Sequence, residues 1–230
     1  KYLNFLRLTD LTNREREIPP ENTTAKNMAT EDVNEALAAA EVPATDAAEK
    51  QPHKLERKWS FWFDNQSKAK QQGAAWGASL RKAYTFDTVE DFWGLHETIF
   101  KPSRLNANAE MHLFKAGVEP KWEDPECADG GKWTHVVTTD RKNAMDKAWL
   151  ETLMALIGEQ FDEADEICGV VASVRPMSKQ DKLSLWTRTK SNEAVLMGIG
   201  KKWKEILDIT DKITFNNHHD DSRSRNRFTV

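Results

Sequence analysis

From residue 53 onward, apolar and polar positions alternate in short runs of the kind that half-buried antiparallel strands require. The runs are Trp59–Phe63, Ala75–Thr85, Glu110–Lys115, Lys132–Thr138, Glu166–Val174, Lys182–Thr187 and Lys212–Asn217. Leu183-Ser184-Leu185-Trp186 shows the pattern well. Three segments change to a helical period. Thr88-Val89-Glu90-Asp91 fits a capping box and predicts a helix to about Phe100. A second helix is predicted from Asp146 to Phe161, through Trp149, Leu150, Leu153, Met154, Leu156 and Ile157. A third runs from Asn192 to Leu207, through Val195, Leu196, Ile199, Trp203 and Ile206. Strands separated by three helices predict an α+β fold, a curved antiparallel sheet of about eight strands with the helices on its convex face. The concave face is then open to a ligand. No internal repeat is visible.

Residues 1–52 read differently. Positions 36–50 are rich in Ala, Glu, Pro and Thr and hold almost no bulky side chain, so burial cannot offset the entropy of ordering. This predicts a disordered extension ahead of a folded domain at 53–230. The chain opens on Lys1, and Met28-Ala29-Thr30 would make a natural start, so 1–27 read as upstream or non-native sequence. A short helix through Leu3, Leu6, Leu8 and Leu11 is the alternative.

Composition narrows the classes. A formal charge of −4 and a pI of about 5.9 argue against a general nucleic-acid binder with a broad basic face, though not against a local basic patch. No apolar run reaches transmembrane length, and the N-terminus lacks the order of a secretory signal. Two cysteines, Cys127 and Cys168, do not make a secreted disulfide framework. The expected compartment is the cytoplasm, with the nucleus as a second one.

No enzyme signature is present: no nucleophile elbow, no phosphate-cradling glycine loop, no zinc-protease helix. A zinc site would have to be assembled from the cysteines and the scattered His112 or His135. Asp162–Glu166 lacks the glycine and terminal glutamate of a calcium loop and reads as a solvated turn. His218-His219-Asp220-Asp221 reads as a solvated loop. No catalytic residue, cofactor or metal is therefore assigned.

Nine tryptophans are the more informative feature. Trp122 sits in Glu119-Pro120-Lys121-Trp122-Glu123-Asp124-Pro125, and Trp76 in Ala74-Ala75-Trp76-Gly77-Ala78. An indole beside a carboxylate, on a loop bracketed by prolines, suits stacking on a flat ligand. Two such indoles would hold a cationic purine by stacking and cation–π attraction, each contact worth on the order of 1–3 kcal/mol. Glu123 could accept both N–H groups of a guanine edge. Arg175, Lys179 and Lys182, around one predicted turn, could hold trailing phosphates, with Trp186 beyond them. The competing readings are a core strand position for Trp76 and packing on Pro120 or Pro125 for Trp122. On the first helix, Phe92, Leu95 and Ile99 share one face and Val89, Trp93 and Phe100 a neighbouring one. Leu150 and Met154 lie at the edge of the second helix's stripe. These residues either pack the helices together or leave a groove for a partner helix.

These stretches carry a family resemblance. From about His53 to Val230 the chain resembles translation initiation factor 4E, the binder of the messenger RNA 7-methylguanosine cap, and most of all its plant iso form. The matching motifs are Trp59-Ser60-Phe61-Trp62-Phe63, Phe86-Asp87-Thr88-Val89-Glu90-Asp91-Phe92-Trp93, Val118-Glu119-Pro120-Lys121-Trp122-Glu123-Asp124, Trp149-Leu150-Glu151-Thr152-Leu153, Ile157-Gly158-Glu159 and Asn226-Arg227-Phe228. The resemblance implies that Trp76 and Trp122 sandwich the methylated guanine. Glu123 would accept from its N1 and N2 groups, and Trp186 would contact the methyl group. Arg175 with Lys182 or Lys179 would bind phosphate. Val89, Trp93, Leu150 and Met154, with His53 and Leu55, would grip a helix of the scaffold factor 4G, in its iso form. The viral genome-linked protein of plant viruses is a further partner implied only in this way. His53-Lys54-Leu55 stands where the family often has His-Pro-Leu, and Lys132 where other members have Arg. The cysteines match positions characteristic of plant members, as two buried thiols or as a redox-sensitive disulfide stiffening the loop of Trp122. The rival functions are a cap-binding translational repressor, a helix-binding adaptor without cap affinity and a cap-degrading enzyme.

Overall fold

A computed structural model of the chain describes residues 51–65, 79–98, 101–175, 177–178, 180–219 and 227–230. Trp76, Lys179, Ile99, Phe100 and the N-terminal segment lie outside them. The strands are β1 (Lys54–Asn65), β2 (Arg81–Thr88), β3 (Ala109–Lys115), β4 (Gly131–Val137), β5 (Ile167–Ser173), β6 (Asp181–Thr187), β7 (Thr214–Asn217) and β8 (Phe228–Thr229). They form one antiparallel eight-stranded sheet in the order β2-β1-β3-β5-β6-β4-β7-β8. The helices are α1 (Val89–Thr98), α2 (Arg141–Ile157) and α3 (Glu193–Ile206). A curved antiparallel sheet backed by three helices is the architecture the alternation predicts.

Alternation sorts each strand between two faces. Trp59, Phe61, Met111, Leu113, Trp133, Leu183 and Leu185 join Phe92, Trp149, Leu153, Leu196 and Trp203 in one core between sheet and helices. Trp62, Asp64, Glu110, His112, Phe114, Lys132, Lys182, Ser184 and Trp186, at the intervening positions, fall on the opposite, open face. β5 shifts register between Ile167 and Gly169, which puts Cys168 on the open side with Phe114, Val171 and Trp186. Gly169 is required there: a Cβ would stand 2.3 Å from the Leu113 carbonyl oxygen.

Buried polar atoms tie the helices down. Trp133 Nε1 donates to the Leu196 carbonyl at 3.0 Å. Trp203 Nε1 donates to Thr152 Oγ1 at 2.9 Å, joining α3 to α2. Thr88 caps α1 by accepting from the Asp91 N–H at 3.1 Å.

α2 departs from the sequence expectation at both ends. It begins at Arg141, because Ala144, Met145 and Ala148 already turn inward and Met145 is 1% exposed. Their polar neighbours mask that stripe in the sequence. It stops at Ile157, because Gly158 closes it on the Met154 carbonyl at 2.9 Å and Glu159 turns left-handed with φ 52°. Phe161 is buried in the core without being helical.

Candidate functional site

Trp122 and Glu123 stand on the loop 116–130 between β3 and β4. Gly117, with φ 96°, turns the chain out of β3, and Val118 and Cys127 bury the loop's two shoulders. Between them the loop folds around Asp124. Its carboxylate accepts from the Glu119 N–H and the Glu126 N–H, each at 2.9 Å. Its carbonyl accepts from the N–H groups of Cys127 and Ala128, both at 2.9 Å. A buried carboxylate serving two backbone donors fixes the loop as a side-chain cap fixes a helix end. Trp122 is 39% exposed, and Glu123 beside it is exposed. The indole and the carboxylate are therefore presented on a braced backbone.

The open face continues from this loop along β6. Trp186 is 8% exposed, edge-on to Phe114 at 5.5 Å, with the Lys132 ammonium 6.0 Å from its ring centre. His218 lies against the same indole, ring centres 4.2 Å apart. Burial, reinforced by the Lys132 charge, pushes the His218 pKa down to about 3. The imidazole is thus neutral at pH 7 and adds no positive charge beside Trp186. This replaces the solvated-loop reading of His218-His219: His219 is exposed, but His218 packs on the site. Burial also lowers the Lys132 pKa, and a desolvated ammonium interacts more strongly with an approaching anion.

Register sets Lys182 opposite Ser173 on one side and Val136 on the other, two alternate positions along β6 from Trp186. Lys182 is exposed. Arg175 follows β5; its N–H donates to Asp181 Oδ1 at 2.8 Å, and its guanidinium pairs with Glu110. Glu110 in turn accepts from Ser173 Oγ at 2.9 Å. Arg175 is thus oriented by a carboxylate that neutralises part of its charge, a partner 65 residues away that the sequence did not suggest.

Cys127 and Cys168 are both buried, free thiols. They share the small cluster beneath the loop with Val118 and Phe114, and Cys168 Sγ donates to the Glu126 carbonyl at 3.2 Å. Hydrogen bonding to Cys168, with burial, raises the Cys127 pKa, so that thiol stays protonated. Among the described residues no group of three His, Cys, Asp or Glu could hold a metal ion. His112 falls on the open face and His135 in the row of Trp133 and Val137, on the other side of the sheet.

The helical side presents a second exposed indole. Trp93 is 43% exposed, edge-on to Phe92 and His96 at 5.0 and 5.5 Å. Val89 shares its side of α1, and Leu150 and Met154, one turn apart on α2, are half-buried. Phe92 and Leu95 are the buried face. His53 docks the start of α1: its carbonyl accepts the Val89 N–H at 2.9 Å, and its ring meets Glu90 at 2.7 Å. That pairing lowers the Glu90 pKa. Leu55 is half-buried on β1.

These observations define a helix-backed antiparallel cup with indoles and cations on its open face and an exposed tryptophan on its helical side. The family model for eukaryotic initiation factor 4E matches residues 54–230, and the chain belongs to that family. It is 87% identical over 204 residues to the eukaryotic translation initiation factor isoform 4E of Arabidopsis thaliana, covering 88% of this chain and 100% of the relative. Among solved structures it resembles Ascaris suum eIF4E-3 in complex with an m2,2,7G cap, with TM-score 0.71, 37% identity, and coverage of 78% of this chain and 98% of that one. It also resembles a schistosome eIF4E complexed with m7GpppA and 4E-BP, with TM-score 0.70, 32% identity, and coverage of 79% and 100%. Trp76 and Lys179, two of the expected contact residues, lie outside the described positions.

Proposed function

We propose that this chain is a non-catalytic initiation factor that binds the 7-methylguanosine cap of messenger RNA and works in the cytoplasm. The base stacks between Trp76 and Trp122, and Glu123 accepts from its N1 and N2 groups. Trp186 lines the methyl side. Arg175 and Lys182, with Lys179 on the same turn, hold the phosphates. The observation that carries this reading is Trp122: a large indole 39% exposed, next to an exposed carboxylate, on a loop braced by the buried Asp124. Methylation at N7 makes the base cationic, which strengthens its attraction both to indole faces and to Glu123.

The helical side recruits a 4G-type scaffold, iso form, through Val89, Trp93, Leu150 and Met154, with His53 and Leu55 at the margin. The capped and partner-bound states named for the related structures support both halves of this reading. Titration with 7-methyl-GTP, followed by tryptophan fluorescence, tests the first half, with GTP as control. Strong quenching by the methylated nucleotide alone is expected. Equal response to both nucleotides overturns the cap-binding reading and leaves a helix-binding adaptor.

A further inference from the structure

One rim of the sheet carries a row of cations that cap binding does not use. β1, β3, β5 and β6 are consecutive in the sheet. Arg57 lies on β1 two residues before Trp59, and Lys115 ends β3 opposite Trp59. Arg188 follows β6, its N–H donating to the Glu166 carbonyl at 2.8 Å just ahead of β5. Arg57 extends the row of Phe61 and Trp59, and Lys115 that of Met111 and Leu113; both rows face the helices. Lys182 stands in the opposite, open-face row of Trp186, so the rim cations are a separate group.

Arg57, Lys115 and Arg188 line one cavity of about 190 Å³, with Val118, Ile167 and Cys168 as its apolar wall. That is room for a phosphate-sized ion and some water. The charges around it are unevenly matched. Arg57 pairs with Glu159 at 2.9 Å and with Asp165 at 2.6 Å. Arg188 meets Glu126 through Nε at 3.0 Å. Both acids of the cavity wall, Glu126 and Asp165, are thus engaged by guanidiniums. Lys115 is half-buried, and its ammonium donates to the Ala164 and Asp165 carbonyls at 2.8 and 3.1 Å. Among the described residues no carboxylate pairs with it. Burial first, and the Arg57 charge after it, lower the Lys115 pKa. The third ammonium donor and the terminal nitrogens of Arg188 make no hydrogen bond among the described residues. A partly desolvated ammonium short of a counter-charge is relieved by an anion, not by a cation or an apolar group.

We propose that this rim cavity binds a small oxyanion of the phosphate class, with Lys115 as its central contact and the Arg188 and Arg57 guanidiniums beside it. The test titrates the full chain, labelled with nitrogen-15, with inorganic phosphate at neutral pH, chloride holding the ionic strength constant. The amide signals of Lys115, Ile167, Cys168 and Arg188 should shift together and saturate. Lys115→Gln, which keeps a donor for the carbonyls, should weaken this binding about tenfold, the loss of one charge-assisted contact. Arg188→Gln alters an exposed side chain and should weaken it about threefold; it decides the matter if Lys115→Gln does not fold. Shifts confined to Arg175 and Lys182 place the ion on the open face and overturn the rim site. Shifts that never saturate, or that survive both substitutions, mean an adventitious ion only and equally overturn it.

Discussion

Trp122 and Trp93 are equally conspicuous, 39% and 43% exposed, yet their surroundings differ in kind. Trp122 stands on a loop without regular structure, next to the exposed Glu123 carboxylate, and its backbone is held by the hydrogen bonds of Asp124. Trp93 stands on a helix whose dihedral angles are already fixed, edge-on to Phe92 and His96 and one turn from the half-buried Val89. A polar, rigid mount suits a small charged ligand that must be read group by group. An apolar, helical mount suits a partner helix that contributes area. One residue type is thus exposed on two different surfaces, and the difference lies in what each indole is fixed to.

The largest expected effect separates the two indoles. Trp122→Ala should weaken 7-methyl-GTP binding roughly 100-fold, the upper range for loss of one stacking face on a cationic base. It should leave affinity for the scaffold's partner helix, supplied as a peptide, unchanged. Trp93→Ala should do the reverse, costing the peptide roughly 30-fold, as a truncated aromatic anchor does, and sparing the nucleotide. Fluorescence titration and calorimetry read the two affinities. If either substitution damages both activities, that indole is part of the fold and the contrast fails.

The mounts themselves can be broken next. Asp124→Ala leaves the Glu119 and Glu126 N–H groups without their acceptor. It should weaken 7-methyl-GTP roughly tenfold by loosening the loop, with peptide binding intact. Asp124→Asn keeps one acceptor oxygen and should lose less. An Asp124→Ala protein with wild-type nucleotide affinity would mean that the Trp122 loop is held by its buried shoulders, Val118 and Cys127, alone.

Much of this was legible in the chain because one face of the sheet is open, which makes each strand alternate visibly: Leu183-Ser184-Leu185-Trp186 announces both faces at once. Thr88 announced the start of α1 because capping chemistry is local. The ends of α2 were not legible, since its first turn hides Met145 among Arg141, Lys142 and Asn143, and Phe161 is apolar for the core without belonging to the helix. In the site, Trp122 and Glu123 stood out because an indole beside a carboxylate between prolines makes poor core. Asp124 looked like one more solvated acid, and its role appears only when its carboxylate meets two backbone donors. Glu110 against Arg175 and His218 against Trp186 are contacts made by the folded sheet, and no local pattern encodes them.

The smallest predicted effect tests the histidine at each indole, His218 on Trp186 and His96 on Trp93. Burial is the leading cause that lowers both pKa values, but only for His218 is the displacement large, to about 3. The unfolded chain takes up a proton at His218 near pH 6.5 and the folded one does not until about pH 3. Between those values the unfolded state binds more protons, so stability falls as pH falls and is fully restored above about pH 7.5. From pH 7.5 to 6 His218 should cost about 0.8 kcal/mol of stability. His112 and His135 are displaced by burial in the same direction, so wild type alone does not isolate the effect. The difference between wild type and His218→Asn, from urea unfolding at both pH values, does. His218→Asn should show the shallower pH dependence, whereas His96→Asn, at a partly exposed site, should nearly match wild type. Equal slopes for all three proteins would mean that the His218 ring is as accessible as that of His96, and that Trp186 has no neutral wall beside it.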